Sequence, residues 1–536
     1  MNDSPLRARW LGRVSFAEAH AVQTALHGRS SGRHLLLLEH PSVYTMGARG
    51  TLDHVLVPPA ELAGGLVRTN RGGDVTWHGP GQLVGYPVVP VPPAPGAVTA
   101  HVHAVEQVVI DALADLGLPG ATRSPGYPGV WVGDRKIAAV GIRVTRGRSM
   151  HGFALNVDPD LSAFDAIVPC GLHGRGVTSL EAEGVAVGMR EVADAVVARA
   201  AECWGAGGLE RQDVAWRAAP DVAALSGASA GVPVRLLGRL AAAGVDPGAG
   251  LPVDQRKPAW LRAPVRLGTE YRALRGELRQ RSLATVCEEA GCPNLSECWS
   301  AGTATFMING SRCTRACGFC LVDTRHPEAV DAGEPARVAD AVAAMGLGHA
   351  VVTAVARDDL PDGGAAAFAA TVDAVHARCP GSDVEVLIPD CKGNAAALDT
   401  IFAARPEVLN HNLETVARLQ RAVRPSASYA RSLAVLARAK DAGLTTKSGL
   451  ILGMGESEDE VLGALADLRA VGVDIVTLGQ YLRPTAAHLP VARWWDPDEF
   501  AALAAAGRAM GFAHVQASPL TRSSYHAREA AASSRH

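Results

Sequence analysis

The chain has no long apolar run. Nowhere in its 536 residues does a segment approach the roughly 18 consecutive apolar residues of a transmembrane helix. The N-terminal residues contain arginines but lack the apolar core of a secretory signal. We therefore expect a soluble, cytoplasmic protein.

Strong charge of either sign is also missing. The formal net charge is −3, and the sequence contains neither a basic stripe nor a block of like charges. Without a basic patch, the chain lacks the usual electrostatic footprint of a nucleic-acid-binding protein. The chain also has no internal repeat, so its halves are not duplicates, and 536 residues are too many for one core.

Composition divides the chain into three segments. Residues 1–215 carry short apolar runs broken by glycine and proline, residues 216–255 are rich in alanine, glycine and proline, and residues 256–536 are patterned again. We predict two α/β domains joined by a linker, with short helices near 220–242. The first domain is predicted to be mixed α/β, with strands at 35–39, 82–89, 129–132, 136–145 and 149–157 and a helix at 101–116.

The C-terminal segment alternates strands with helices. Strands are predicted at 304–309, 350–355, 384–388, 407–411, 446–452 and 473–478, and helices at 336–345, 364–377, 430–442 and 457–470. This alternation predicts a parallel βα sheet rolled into a full or partial TIM barrel. Polar residues follow successive strands, and in such folds these positions meet at one mouth of the barrel.

What the chain does contain is a concentration of cysteine, with six of its ten cysteines in residues 287–320. Cys287, Cys292 and Cys298 have the spacing C-x4-C-x5-C, and they are followed by a C-x3-C-x2-C triplet formed by Cys313, Cys317 and Cys320. Three thiolates per set fit two iron–sulfur clusters, and a cluster held by three thiolates keeps one iron open for S-adenosylmethionine (SAM). Structural zinc is the alternative, although zinc sites usually combine two short C-x2-C-type motifs to complete four ligands.

Both triplets in this order, with Arg-Ser-Ser-Tyr at 522–525, resemble lipoyl synthase over roughly residues 256–530. Further matching segments are Lys257-Pro258, 357–360, 362–364, 410–414, 449–455 and 480–485. The resemblance implies a radical SAM enzyme in which Cys313, Cys317 and Cys320 hold the [4Fe–4S] cluster that binds SAM. It also implies an auxiliary [4Fe–4S] cluster on Cys287, Cys292, Cys298 and Ser524 that supplies two sulfurs. Candidates for holding SAM or substrate are His411, Asn412, Arg357 and Glu414, without individual roles.

In the N-terminal half, Cys170 lies in a turn bounded by proline and glycine, which can expose a thiol for acyl transfer. Lys136, in an otherwise apolar strand, is a candidate for the cation that activates the thiolate. The glycines of residues 71–81 would let backbone N–H groups approach an acyl oxyanion. By themselves these residues also fit an inert buried cysteine, a solvated lysine and an ordinary turn.

Residues Arg71 to Pro87, with Lys136-Ile137, His151-Gly152 and Pro169-Cys170-Gly171, resemble octanoyltransferase of the lipoate pathway over about residues 5–210. The resemblance implies the fold of the biotin and lipoate ligase catalytic domain, Cys170 as the acyl-thioester nucleophile and Lys136 as its activator. It implies an acyl pocket lined by Arg71, Gly72, Gly73, Asp74, Val75, Thr76, Trp77, His78, Ala139, Val140, Gly141, Gly152, Phe153 and Ala154.

Together, the two resemblances predict one bifunctional chain for consecutive steps of lipoate biosynthesis. The implied partners are octanoyl-acyl carrier protein, lipoyl domains of 2-oxoacid dehydrogenases, glycine cleavage H protein and an electron donor such as ferredoxin or flavodoxin. One alternative is an ATP-dependent ligase-like half joined to another sulfur-inserting radical SAM enzyme. The other is a non-enzymatic iron–sulfur or zinc scaffold that binds lipoyl carriers.

Overall fold

The computed structural model describes residues 4–171, 174–216, 231–246, 248–262, 276, 283–285, 294 and 304–533. The chain divides into two compact units, Met1–Trp216 and Arg217–His536. The boundaries predicted for the linker, at 216 and 255, stay a prediction. Within the described residues, no helix is both long enough and apolar enough to cross a membrane.

The N-terminal unit is built on an eight-stranded mixed sheet of order β11-β1-β2-β6-β10-β9-β8-β7, with a small second sheet of order β4-β3-β5. Its strands are β1 Leu6–Arg13, β2 Arg33–Glu39, β3 Val43–Met46, β4 Leu66–Arg68, β5 Val75–His78, β6 Gln82–Val88, β7 Thr122–Ser124, β8 Tyr127–Val132, β9 Arg135–Thr145, β10 Arg148–Asn156 and β11 Leu209–Asp213. Its helices are α1 Phe16–Arg29, α2 Ala97–Asp115 and α3 Met189–Trp204. The predicted mixed α/β fold is confirmed.

The core of this unit lies between the large sheet and two helices. Val105 and Val109 of α2 and Val196 of α3 pack in one cluster with Phe153 and Leu155 of β10. Helix α1 begins at a capping box in which Ser15 and Glu18 satisfy each other's backbone N–H groups. The long hairpin β9–β10 turns through Arg146 and Gly147, both with positive φ, as a tight hairpin requires. This hairpin carries most of one wall of the N-terminal site.

The C-terminal unit contains an eight-stranded sheet that runs β12 to β19 in sequence order, parallel from β13 onward. Its strands are β12 Ala284–Thr285, β13 Thr305–Ile308, β14 His349–Ala354, β15 Asp383–Leu387, β16 Val408–Asn410, β17 Thr445–Leu452, β18 Ile475–Gln480 and β19 His514–Ala517. Its helices are α4 Val234–Ala242, α5 Glu334–Met345, α6 Ala365–Arg378, α7 Ala395–Ala403, α8 Gln420–Val423, α9 Tyr429–Asp441, α10 Glu458–Ala470, α11 Pro497–Ala509 and α12 Ala527–Ser533. Among the described residues nothing pairs β19 with β12 or β13, so the sheet is open, as a partial barrel is.

Parallel pairing places the carboxyl ends of β13 to β18 along one edge of the sheet. The strands are apolar and buried, as is usual when helices cover a parallel sheet. Helix α4 lies in the segment predicted as a linker, and it buries Leu236, Leu237 and Leu240. This part of the predicted linker is therefore folded.

A charged pair is buried inside the C-terminal sheet. The Nζ atom of Lys447 on β17 lies 2.9 and 3.1 Å from the two carboxylate oxygens of Glu385 on β15. Both side chains are almost completely buried, and Asn410 donates a further hydrogen bond to Glu385. Burial alone would raise the pKa of Glu385, but Lys447 and His349 lower it to about 2.

We predict that Glu385→Gln destabilises the C-terminal unit by about 3–5 kcal/mol, because the Lys447 ammonium loses its counter-ion without regaining water. Thermal melting of the C-terminal unit, followed by circular dichroism, measures the change. In the wild type the stabilisation from Glu385 is complete at neutral pH. It is lost as the pH falls from about 4, near the pKa of an unfolded glutamate, toward the folded value.

The matched control is Asp340→Asn. It breaks the exposed pair of Asp340 with Arg378, whose side chains are 52% and 61% exposed. We expect this substitution to change stability by less than about 1 kcal/mol. Equal effects of the two substitutions would contradict the account of the buried pair.

Candidate active sites

The turn Pro169–Gly171 presents Cys170 to a cavity of the N-terminal unit. Cys170 has φ 55° and ψ 20°, in the left-handed region that residues other than glycine seldom occupy, and Gly171 follows at φ 68°. The cavity, including the solvent space at its opening, has a volume of about 470 Å³. A half-exposed thiol at such a cavity has the access that a nucleophile needs.

Lys136 and Cys170 line a second, adjoining cavity of about 260 Å³. The ammonium of Lys136 donates to the Pro128 carbonyl at 3.1 Å and lies 4.7 Å above the ring of Trp131. Lys136 is 6% exposed, so this cation is held in a largely desolvated position. The structure thus brings the predicted nucleophile and the predicted activating cation to one space.

Arg71 is a second buried cation at the large cavity. Its guanidinium donates to the carbonyl of Thr45 at 2.6 Å, to the Thr45 hydroxyl at 2.9 Å and to the carbonyl of Gly72 at 3.0 Å. Burial lowers the pKa of Arg71, whereas the nearby Cys170, Tyr86 and Asp74 raise it. The guanidinium stays charged, because a buried arginine rarely loses its proton.

The histidines around this cavity are neutral. Burial, together with His40 and Arg71, lowers the pKa of His78 to about 3. Burial also lowers the pKa of His151 to about 3 and that of His40 to about 4. Positive charge at the cavity therefore lies on Arg71 and Lys136 and not on the imidazoles.

The predicted pocket residues fall into two groups. Those that line the large cavity are Arg71, Gly73, Asp74, Thr76, His78, Ala139, Val140, Gly141, Gly152, Phe153 and Ala154. Gly72, Val75 and Trp77 do not line it. Side chains alternate along β5, so Thr76 and His78 face the cavity while Val75 and Trp77 pack on Phe164 and Ile167.

Sequence reasoning missed several side chains at this site, among them Phe16, which lines the large cavity. Tyr86 and His151 complete the cavity wall, and both came from segments that were quoted only as motif matches. His54, at the end of the 3₁₀ turn Leu52–His54, hydrogen bonds Asp74 at 2.5 Å. Its isolated position in the sequence gave no signal, because only the fold brings it beside Cys170.

In the C-terminal unit, the loop after β13 carries Cys313, Cys317 and Cys320. Burial, with a smaller contribution from the neighbouring thiols, raises the pKa of the Cys317 thiol to about 11 and that of the Cys320 thiol to about 12. The thiols are therefore close enough to influence one another. The backbone N–H groups of Arg315 and Ala356 donate to the sulfur of Cys313 at 3.4 and 3.3 Å.

This loop is fastened to its surroundings at several points. Arg315 donates two hydrogen bonds of 2.8 Å to Asp358, after β14, and one of 2.6 Å to the buried Asp390, after β15. The N–H of Gly318 donates to Val423, and its carbonyl accepts from Leu489. The convergence predicted for residues after successive strands is therefore found at Asp358 and Asp390.

An iron–sulfur cluster suits this donor set. Three neighbouring thiols, backbone N–H groups aimed at sulfur and an apolar neighbour in Leu489 are features of cluster sites. In the part of the chain that the structure describes, no three His, Cys, Asp or Glu side chains are grouped tightly enough for a single metal ion.

A cavity of about 290 Å³ lies beside this loop, at the carboxyl ends of β16 to β18. Asn412 and Glu414 line it, together with Arg522 and Ser523. The side-chain amide of Asn412 donates to the Ser523 hydroxyl at 2.6 Å. The side-chain oxygen of Asn412, Oδ1, is buried without a hydrogen-bond partner among the described residues. The cavity thus offers a polar group that a bound molecule could satisfy.

Two other candidates for SAM or substrate binding lie elsewhere. His411 is buried, and its ring nitrogens contact the Ile388 carbonyl and the Ser432 hydroxyl at 2.9 and 3.0 Å. The guanidinium of Arg357 donates to Asp359 and to the carbonyl of Asn309. Their side chains hold neighbouring loops of the protein.

Cys287, Cys292 and Cys298 lie outside the described residues. Ser524 is described, and its hydroxyl accepts a hydrogen bond of 2.9 Å from Thr305. Asn294, between Cys292 and Cys298 in the sequence, donates to the Leu520 carbonyl at 2.6 Å. This bond brings one point of the first cysteine segment to the segment that carries Ser524.

Comparison with known families covers both halves of the chain. The model of the lipoyl protein ligase A/B catalytic domain matches residues 14–201. The model of the N-terminal domain of lipoyl synthase of the Radical SAM family matches residues 251–292, and that of the Radical SAM superfamily matches residues 307–468.

Two lipoyl synthases agree with the matches in the C-terminal half. Lipoyl synthase of Rubrobacter xylanophilus is 57% identical over 275 residues, which are 51% of this chain and 86% of the relative. Lipoyl synthase of Kineococcus radiotolerans is 54% identical over 273 residues, 51% of this chain and 82% of the relative. A bipartite lipoate protein ligase from Thermoplasma acidophilum superposes with a TM-score of 0.34 at 18% identity, over 39% of this chain and 86% of that chain.

We predict that Arg315→Met weakens retention of iron by the loop of Cys313, Cys317 and Cys320. Loss of a group that orients metal ligands typically lowers metal affinity by about 10- to 100-fold. Iron retained during a chelator titration measures the effect, in a background where Cys287, Cys292 and Cys298 are alanine. Arg325→Met is the control, because Arg325 is 77% exposed and pairs with Asp323 of the same loop. Equal iron retention in both variants would refute the role of Arg315.

Proposed function

The chain belongs to the lipoyl synthase family, and we propose that it is a bifunctional enzyme for two consecutive steps of lipoyl-group formation. The N-terminal unit, which carries a lipoyl protein ligase A/B catalytic domain, transfers an octanoyl group to a lysine of a lipoyl domain. The C-terminal unit then inserts two sulfur atoms at C6 and C8 of that octanoyl group.

The first step proceeds through a thioester on Cys170. Its thiolate attacks the thioester carbonyl of octanoyl-acyl carrier protein, and the carrier's thiol leaves with a proton. The amine of the acceptor lysine then attacks the octanoyl-enzyme, forming the amide and returning the thiolate to Cys170. The Lys136 ammonium stabilises the Cys170 thiolate, gives its proton to the departing carrier thiolate in the first half of this cycle, and regains a proton from the attacking lysine amine in the second half.

The observation that carries this proposal is the pairing of Cys170 and Lys136 at one cavity, with Arg71 buried nearby. A ligase activates its acid with ATP and requires no nucleophilic thiol. A thiol held in a left-handed turn at the mouth of an acyl-sized cavity supports a transferase instead. Arg71 is suited to offset negative charge on the thiolate or on the oxyanion formed during attack.

For the second step, Cys313, Cys317 and Cys320 would hold one [4Fe–4S] cluster, and Cys287, Cys292, Cys298 and Ser524 the other. When bound, the first cluster supplies the electron that cleaves SAM, and this yields a radical able to remove hydrogen from unactivated carbon. Asn412 and Glu414 are positioned to bind polar groups of SAM or substrate at the cavity they line. The acceptor is a lipoyl domain in both steps, and the electron donor is a small redox protein such as ferredoxin or flavodoxin.

A crossover experiment tests both halves in one chain. Cys170→Ser and Cys317→Ser variants are incubated anaerobically with octanoyl-acyl carrier protein, apo lipoyl domain, SAM and a reductant. The mass of the lipoyl domain is then measured by mass spectrometry. We expect Cys170→Ser to leave the apo domain unmodified but to convert a domain that already carries octanoyl-lysine. We expect Cys317→Ser to stop at the octanoyl-domain. Transfer that needs added ATP, or that survives in Cys170→Ser, would contradict the thioester mechanism.

Iron analysis tests the number of clusters. Two [4Fe–4S] clusters predict about eight irons per chain after anaerobic reconstitution. Replacing Cys313, Cys317 and Cys320 by alanine should leave about four, and replacing Cys287, Cys292 and Cys298 should also leave about four. Stoichiometric zinc in place of iron would support a structural scaffold and refute the radical enzyme.

A further inference from the structure

Cys170 adopts an unfavourable backbone conformation. A residue with a β-carbon in the left-handed region costs of order 1 kcal/mol or more, so the surrounding structure must hold it there. The N–H of Gly171 donates to the Val168 carbonyl at 3.0 Å, which closes the turn with a single described hydrogen bond between its own residues. The turn therefore needs a partner outside its own residues.

His54 and Asp74 form that outer support. Their hydrogen bond, 2.5 Å between Nδ1 of His54 and Oδ2 of Asp74, lies directly against Gly171. A β-carbon placed on Gly171 would lie 2.8 Å from Oδ2 of Asp74 and 2.9 Å from Cε1 of His54. Only a glycine lets the turn approach the pair this closely.

The backbone around His54 holds the segment that leads into the turn. The N–H of Val168 donates to the His54 carbonyl at 2.8 Å, and that of Leu56 donates to the Ala166 carbonyl at 2.9 Å. Val55 and Ile167 form an antiparallel bridge between these two bonds. His54 thus contacts the turn through its main chain and through its ring.

Asp74 connects this support to the reacting groups. Its other oxygen, Oδ1, accepts a hydrogen bond of 2.6 Å from the N–H of Val75, which fixes the carboxylate at the start of β5. Asp74 also lines the large cavity with Cys170 and Arg71. The carboxylate therefore occupies a fixed point between strand β5 and the nucleophile turn.

We propose that His54 and Asp74 are positioning residues that hold the Cys170–Gly171 turn in its left-handed conformation and so aim the thiol at the acyl cavity. The proposal rests on the transferase function proposed above and adds two residues to it. Neither side chain needs to exchange a proton with substrate in this role. What matters is that the pair fills the space against Gly171.

Asp74→Asn separates positioning from proton transfer. The asparagine oxygen can still accept from Val75, and its amide can donate to Nδ1 of His54 if the ring takes its other tautomer. The contacts and the filled space persist, while the negative charge and the proton position change. Asp74→Ala removes the contacts as well.

The test measures octanoyl-enzyme formation at saturating octanoyl-acyl carrier protein, by intact mass in a stopped-time series. We expect Asp74→Ala and His54→Ala to slow acylation by about 10- to 100-fold, the penalty of a misplaced reacting group. Asp74→Asn, which keeps the contacts but loses the charge, should be slowed less than Asp74→Ala, whereas the control Asp53→Ala, which alters an exposed carboxylate of the same 3₁₀ turn, should acylate at the wild-type rate. The thermal transition of each variant shows that it is folded.

Hydrogen–deuterium exchange of a peptide covering residues 164–171 gives a second readout that does not depend on activity. Exchange should speed up in Asp74→Ala and His54→Ala but not in Asp74→Asn or Asp53→Ala. Wild-type acylation and exchange in Asp74→Ala, or loss of acylation in Asp74→Asn equal to that in Asp74→Ala, would overturn the positioning role. Absence of octanoyl-enzyme in the wild type would instead refute the proposed transferase, and the exchange pattern would still test the support of the turn.

Discussion

A loop that must present three thiols to one point has to be held still along its length. The segment from Cys313 to Cys320 has no regular structure of its own, so its order comes from groups outside it. The buried Arg315 supplies the strongest of these contacts, because its planar guanidinium reaches Asp358 and Asp390 at the ends of two neighbouring strands. Although burial lowers the pKa of Arg315, its two carboxylate partners raise it above the usual value, so the charge is permanent. The position of the thiols thus depends on the parallel sheet, whose strand ends meet at one edge.

The N-terminal site also holds a thiol in a fixed position, but with a different arrangement of contacts. Its nucleophile lies in a turn and not between strands, and the turn is packed against His54 and Asp74. Buried cations again set the electrostatics, with Arg71 and Lys136 among histidines that burial keeps neutral. Neutral imidazoles can line an acyl cavity at a small cost, whereas charged ones would disfavour an apolar chain. The same wall therefore suits the alkyl chain of the proposed octanoyl substrate and leaves positive charge near the sulfur.

Much of this architecture is predictable from the sequence, and the exceptions have physical reasons. The strands that were predicted match observed strands within two residues at each end, because they are apolar runs bounded by glycine or polar residues, as in β14 and β17. The short buried strands β3 and β5 were not predicted. Strand β1 was not predicted, because Arg7 and Arg9 look like exposed residues although they pair with Glu210 on β11. The cysteine triplets and Cys170 were identified from short motifs. His54 was not identified, and neither was the role of Arg315 in joining Asp358 and Asp390, since each depends on contacts between residues far apart in the sequence.

The two cavities differ in the way their proposed chemistry requires. Acyl transfer moves protons and develops charge at sulfur and oxygen, so a site with fixed cations lowers its barrier. Hydrogen abstraction from an alkyl carbon develops almost no charge, so acid or base groups do not assist this step in the cavity of the C-terminal unit. That cavity must instead control the distance between the radical and the carbon that loses hydrogen. Glycines in the wall of this cavity allow neighbouring segments to approach closely. A β-carbon on Gly479 would lie 2.0 Å from the Thr521 carbonyl, and one on Gly449 would lie 2.5 Å from the Thr477 hydroxyl. The segment that carries Arg522 and Ser523 can therefore lie close against β18, and it closes the cavity beside Asn412 and Glu414.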